Sequence, residues 1–326
     1  MWNSIQIGDT VIGPGENRKV LLNLGRLPTH TSLELPVFVF RAAAPGPTLL
    51  LTAGLHGDEI NGVEVLRRLI HNQRLSPTAG TVVAIPVVNV FGFIHTSRTM
   101  PDGKDLNRSF PGSSRGSLAS RIAHLLMSEV LPHVDLGVDF HTGGASKSNY
   151  PHLRCHLDGA NIQEAALGFA PPFIVNSRPP DHSFRKAAAQ NGVPILTFEG
   201  GESLRLDSLA IQEGIDGIRR LMRHLGMRKS SVANGSPRIL RGSWWNRARH
   251  SGVFRSRVAI GDRIQARQVL GHIADPFGEV EYAIKARGDG YVIGLNHLCV
   301  VSTGEALIHV GSENQPPAVE PVAGIT

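Results

Sequence analysis

The sequence predicts a mixed α/β fold: a mixed, mostly parallel sheet flanked by helices, followed by a smaller C-terminal β-domain. Between residues 48 and 225, short apolar runs alternate with amphipathic stretches of period 3.6. That is the pattern of buried strands covered on both faces by helices. After Gly226 the texture changes to short β-type runs separated by Gly and Asp-Gly turns. The length of 326 residues suits about two domains, and 41% hydrophobic residues suffice for a packed core.

Residues 1–45 read as short strands at Ser4–Ile7, Arg18–Leu22 and Leu33–Arg41, closed by the break Pro45-Gly46-Pro47. Thr48–Ala53 is an apolar strand, followed by a helical pattern through Val63, Leu66, Leu69 and Ile70. Thr81–Val88 is a second buried strand, and Leu118–Val130 an amphipathic helix. Leu136–Phe140 and Val193–Phe198 are further strands; Ser183–Gln190 and Ile211–Leu225 are helices. The expected division is a main domain over 1–226, including the N-terminal β segment 1–45. A linker over 227–242, a β-domain over 243–312 and a tail over 313–326 complete it.

Composition narrows the classes. Two cysteines, Cys155 and Cys299, exclude a disulfide framework and a Cys-rich zinc module. The first residues carry neither a basic nor an apolar leader pattern, and no run approaches the roughly 18 apolar residues of a spanning helix. A cytoplasmic protein with no membrane partner is the expectation. The net charge is +6, and ten basic residues fall between Arg228 and Arg267 against one acid, Asp262. Neither a helix-turn-helix nor a stacking-aromatic pattern accompanies them, which disfavours nucleic acid. The stretch reads as a solvated sheet face or as a contact in a homo-oligomer.

Polar residues stand where predicted buried strands end: His56 and Glu59 in Gly54-Leu55-His56-Gly57-Asp58-Glu59, His141 in Asp139-Phe140-His141-Thr142, and Glu199 before Gly200-Gly201. That edge of an α/β sheet is where ligands bind. Two histidines and a carboxylate compose an open catalytic zinc site with a position left for water. Glu199 is then placed to act as general base. In a chain with 15 histidines, a His-x-x-Glu pair also arises by chance, so placement carries the metal reading. Asp105-Leu106-Asn107-Arg108, preceded by Arg98, suits carboxylate recognition, because guanidinium presents a planar fork of donors.

These four motifs, in this order, resemble the succinylglutamate desuccinylase/aspartoacylase family, within the wider zinc carboxypeptidase-like fold. The resemblance covers residues 48–201 most strongly. It implies one zinc ion per chain held by His56, Glu59 and His141, with Asp105 orienting His56. It implies Glu199 as general acid/base, Arg98 at the scissile carbonyl, and Asn107 and Arg108 on a substrate carboxylate. Arg185 resembles a second carboxylate arginine of aspartoacylases. The activity implied is hydrolysis of the amide bond in a small N-acyl amino acid or related carboxylate-bearing compound. A metallocarboxypeptidase on short peptides, an esterase, and a non-catalytic binding module are the alternatives.

Residues 243–312 look like a lipoyl-type barrel-sandwich. The hairpin that would carry a lipoylated lysine is Asp275-Pro276-Phe277-Gly278, which has none. The expected role is therefore to wall the cleft rather than to carry a swinging arm.

Overall fold

The computed structural model describes residues 2–27 and 29–314. At the centre of its large sheet, Thr81–Ile85, Thr48–Ala53, Leu136–Gly143 and Ile195–Glu202 lie side by side and parallel. Every residue of the first three is buried, as covering both faces of a parallel sheet demands. Alternate side chains feed two separate cores. Leu50, Val83 and Ile85 pack with Ile122, Ala123 and Phe184 of the helices Leu118–Leu125 and Phe184–Gln190. Leu49, Leu51, Val82 and Ala84 pack with Leu66, Phe169, Ile211 and Ile218 of the helices Asn61–His71, Ala160–Phe169 and Ser208–His224. The period of two in the strands meets the period of 3.6 in the helices on both sides.

The sheet is antiparallel where strands are added outside this centre. Ser32–Arg41 pairs with Thr81–Ile85 on one side and Asn17–Arg26 on the other. Lys147–Cys155 turns back from Leu136–Gly143 to pair antiparallel with Ile195–Glu202. Sequence patterning did not mark that strand, because Ser148, Asn149, His152 and Arg154 interrupt its apolar residues. It also left unmarked the helices Val90–Ile94 and Ala160–Phe169 and the strand Phe173–Asn176. The helix expected over 118–130 ends at Leu125, widens into a π-type turn over Leu126–Val130, and closes as a 3-10 turn at Leu131–His133. Pro132 lacks an N–H and cannot continue an α-helical ladder.

The strands after residue 240 form a second layered unit. Gly242–Arg247, Ala306–Ser312 and Gly290–Asn296 join the large sheet, the last pairing with Lys147–Cys155. Against them lies a four-stranded antiparallel sheet of Glu281–Lys285, Val269–Ala274, Gly252–Ser256 and Val300–Val301. Phe254, Leu270, Ile273, Val292 and Leu307 fill the space between. The segment 227–242 contributes the strand Arg238–Leu240, parallel to Phe173–Asn176. The Asp275 carboxylate accepts the N–H groups of Phe277 (2.7 Å) and Gly278 (2.9 Å), which closes the lysine-free turn. Of the 313–326 tail, residues 315–326 lie outside the described residues. No described helix is long and apolar enough to cross a membrane.

Candidate active site

The ends of the parallel strands bring His56, Glu59, His141 and Glu199 to one cavity of about 140 Å³. The His56 loop is pressed against the helix Val90–Ile94: a Cβ at Gly57 would overlap the backbone of Gly92. Glycine is required there by close approach. Glu59 stands just before the helix Asn61–His71, whose Asn61 side chain accepts from Asp207 N at 2.8 Å. Its amide also reaches Gly200 O at 3.4 Å, tying that helix to the end of the Glu199 strand.

One ligand atom each from His56, Glu59 and His141 fits within 4.8 Å of the others, and all three residues are buried. His56 Nδ1 lies 2.9 Å from Glu59 Oε1, and His141 Nδ1 lies 2.8 Å from Glu59 Oε2. On the outer side, His56 Nε2 faces Asp105 Oδ1 at 3.1 Å and His141 Nε2 faces Asp139 Oδ2 at 2.8 Å. With neutral rings carrying the hydrogen on Nε2, toward the aspartates, the inner face is built of two imidazole lone pairs and two carboxylate oxygens. Such a set is satisfied by a divalent cation or by protons on both rings, and nitrogen with carboxylate oxygen suits zinc. The donor set fits the metal that the motifs suggest.

Electrostatics within the cluster are strongly coupled. Burial acts to lower His56 and His141, but Glu59 with Asp105, and Asp139 with Glu59, outweigh it and raise both. Burial acts to raise Glu59, yet the two imidazoles hold it well below the usual carboxylate range. Arg98 spans the same group: Nη1 donates to Glu59 Oε1 at 3.1 Å and Nη2 to Asp105 Oδ2 at 3.0 Å.

Glu199 faces the cavity with its side chain 12% exposed. Asn149 Nδ2 donates to its Oε2 at 3.0 Å, and Arg154 Nη1 lies 3.6 Å from Oε1. Burial pushes its carboxyl above the ordinary value, against the pull of His141 and Arg154. Strand register explains this grouping. His141, Glu199 and His152 are neighbours across three adjacent strands, and Asp139, Thr197 and Arg154 form the next row.

Asp105 also accepts from Asn107 N at 2.8 Å, shaping the turn Leu106–Arg108. Asn107 Oδ1 accepts from Phe184 N at 2.9 Å, so its amide group remains for the cavity. Arg108 lines the cavity and donates to Asn107 O at 2.7 Å. Arg185 is buried at the cavity wall, held by Ser177 Oγ (3.3 Å) and Arg178 O (3.1 Å). All nine residues singled out in the sequence fall in or directly against this cavity.

Sequence reasoning missed four contributors: Asp139, Asn149, Arg154 and Thr197. Asp139 had a signal, because Asp-x-His on one strand places both side chains on one face. The others lie across strand neighbours, and no local spacing reveals them. The cavity lining runs from His56 to Glu199 and includes no residue of 243–312. The C-terminal strands reach the site's neighbourhood through the Lys147–Cys155 strand, where Gly294 pairs with Asn149.

Residues 45–225 match the model of the succinylglutamate desuccinylase/aspartoacylase catalytic domain. Over 295 residues the chain is 31% identical to N-alpha-acetyl-L-2,4-diaminobutyric acid deacetylase from Halomonas elongata, covering 85% of each. A succinylglutamate desuccinylase/aspartoacylase structure from Rhodobacter sphaeroides is similar with a TM-score of 0.79 at 27% identity, over 91% of this chain and 95% of that one. The product-bound ectoine utilization protein EutE (DoeB) from Ruegeria pomeroyi gives a TM-score of 0.82 at 25% identity, over 96% and 99%. The chain belongs to the succinylglutamate desuccinylase/aspartoacylase family.

Proposed function

We propose that this protein is a zinc-dependent hydrolase that cleaves the amide bond of a small N-acyl amino acid or a related carboxylate-bearing compound. The observation that carries the reading is the Glu59 carboxylate facing His56 Nδ1 and His141 Nδ1, with both outer nitrogens committed to aspartates. The similarity to a deacetylase supports amide bonds as the target. Zinc held by His56, Glu59 and His141 supplies Lewis-acid polarisation of the scissile carbonyl and lowers the pKa of water.

The chain's own groups do the rest. Glu199 takes a proton at its carboxylate from the attacking water and returns it to the leaving nitrogen. Asn149 fixes Oε2, and Oε1, 3.6 Å from Arg154 Nη1, faces that transfer. The Arg98 guanidinium, held beside the ligands, stabilises negative charge developing on the carbonyl oxygen. Asn107 and Arg108 receive the substrate carboxylate, and Arg185 adds positive charge at the cavity wall. A cavity of about 140 Å³ is small beside the roughly 300–1,000 Å³ of drug-sized ligand sites, which favours small substrates over peptides.

The discriminating experiment measures amine release by zinc-loaded protein from a panel of N-acyl amino acids and of short peptides with free C-termini. Hydrolysis confined to the N-acyl amino acids is the expected result. Preferential hydrolysis of the peptides would make the protein a carboxypeptidase instead.

A further inference from the structure

The Lys147–Cys155 strand lies between partners from two distant parts of the chain. On one side it pairs with Ile195–Glu202, which carries Glu199, and on the other with the C-terminal strand Gly290–Asn296. Asn149 sits at the crossing, opposite Gly201 in the first pairing and opposite Gly294 in the second. Register shifts flank it: one between Glu199 and Gly201, and one between Val292 and Gly294 where Gly290–Asn296 meets Ala306–Ser312. Such irregularities re-aim side chains beside active sites. The Asn149 amide bridges the two neighbours. Its Nδ2 donates to Glu199 Oε2 at 3.0 Å. Its Oδ1 lies 2.9 Å from where a Cβ on Gly294 would stand, and His309 Cβ lies 3.1 Å from the same point. Gly294 does not adopt a positive φ, so close approach, rather than backbone conformation, requires glycine there. The next residues fasten the same seam: His297 Nε2 lies 2.7 Å from Ser148 Oγ, and His297 N donates to Ser146 O at 2.9 Å.

We propose that Gly294 and Asn149 are positioning residues for Glu199, so that the C-terminal β-unit, without lining the cavity, sets the carboxylate that moves the proton. The inference rests on the hydrolase reading, in which Glu199 is the base. The bare Cα of Gly294 leaves the Asn149 amide room to hold its Nδ2 on Oε2. A methyl group at that point would displace the amide, because a close-packed interior passes the shift on to the next atom.

The test is a double-mutant cycle on the zinc-loaded protein: wild type, Gly294→Ala, Asn149→Ala and the double variant. Amine release is followed on the N-acyl amino acid that the wild type hydrolyses fastest, and kcat, KM, zinc content and melting temperature are compared. Loss of a hydrogen bond to a charged group corresponds to about 10- to 150-fold. Each single variant should therefore lower kcat by at least about 10-fold, with KM and zinc content at the wild-type level. With the Asn149 amide gone, Gly294→Ala has nothing to displace, so the double variant should turn over as Asn149→Ala does. Losses that multiply in the double variant would overturn the positioning role. So would a near-wild-type kcat in Asn149→Ala, or a change confined to KM. If Gly294→Ala alone fails to fold, the double variant should recover stability, because removing the amide vacates the space. A double variant no more stable than Gly294→Ala would overturn the contact. Absence of amine release from every N-acyl amino acid would refute the hydrolase reading, and the melting temperatures alone would then decide whether Gly294 seats Asn149.

Discussion

Asp139 Oδ2 stands 2.8 Å from His141 Nε2, two residues along one strand, while Thr52 Oγ1 donates to Asp139 Oδ1 at 2.7 Å. The strand's period of two thus places His141 and the carboxylate that orients it on the same face. The neighbouring strand fixes the carboxylate in turn, Thr52 being the register partner of Asp139. Partners of this kind typically contribute 10- to 100-fold to metal affinity. Asp139→Asn should weaken zinc binding by about that factor while the fold persists. Competition with a chelating dye measures it, and unchanged affinity would show that Asp139 does not orient His141.

Glu199 is set apart from the His56, Glu59 and His141 cluster in space and in expected behaviour. Glu199→Gln preserves size and the contact with Asn149 but removes the proton acceptor. General base catalysis accounts for roughly 10²- to 10⁴-fold, so kcat should fall at least that far with zinc content unchanged. Kinetics paired with elemental analysis check this. Near-wild-type turnover would assign proton transfer to another group.

Arg108 is expected to recognise charge. Arg108→Ala should penalise a substrate with a free carboxylate by about 10- to 150-fold and its carboxamide analogue hardly at all. Arg108→Lys should rescue only in part, because lysine lacks the two parallel donors. An equal penalty on acid and amide, with a lowered melting temperature, would make Arg108 a structural residue of its loop.

The fold was largely legible because its central strands are buried on both faces and their helices carry one apolar stripe. The cluster of His56, Glu59 and His141 was legible because each residue stands at or just beyond the end of such a strand. Asn149, Arg154 and Thr197 were not, since they reach the site through cross-strand register with Glu199 and its neighbours rather than through spacing along the chain. The Lys147–Cys155 strand was hidden by the same polar residues that make it useful: a strand lining a wet cavity loses the apolar pattern by which strands are recognised.

His152 should make the fold sensitive to acid. It is fully buried, its Nδ1 lies 2.7 Å from Tyr150 O, and burial lowers its pKa from 6.5 to about 4. The folded-state value lies below the unfolded one, so the unfolded chain binds the proton first as pH falls. Stability is full above about pH 6.5 and is lost as pH drops toward about 4. At about 1.4 kcal/mol per pKa unit, the loss is on the order of 3 kcal/mol. His309, lowered by burial as well, acts in the same direction. Denaturant titrations from pH 7.5 to 4.5 should show a shallower decline in His152→Gln than in wild type. Identical slopes would remove His152 from the acid response.

The central claim is that His56, Glu59 and His141 form a hydrolytic metal centre. The most direct measurement is primary-amine release from N-acyl amino acids by folded protein stripped of metal and then titrated with zinc. The account predicts no release from the stripped protein and a rise that saturates near one zinc per chain. Saturation without any release, or release unaffected by stripping, would contradict it.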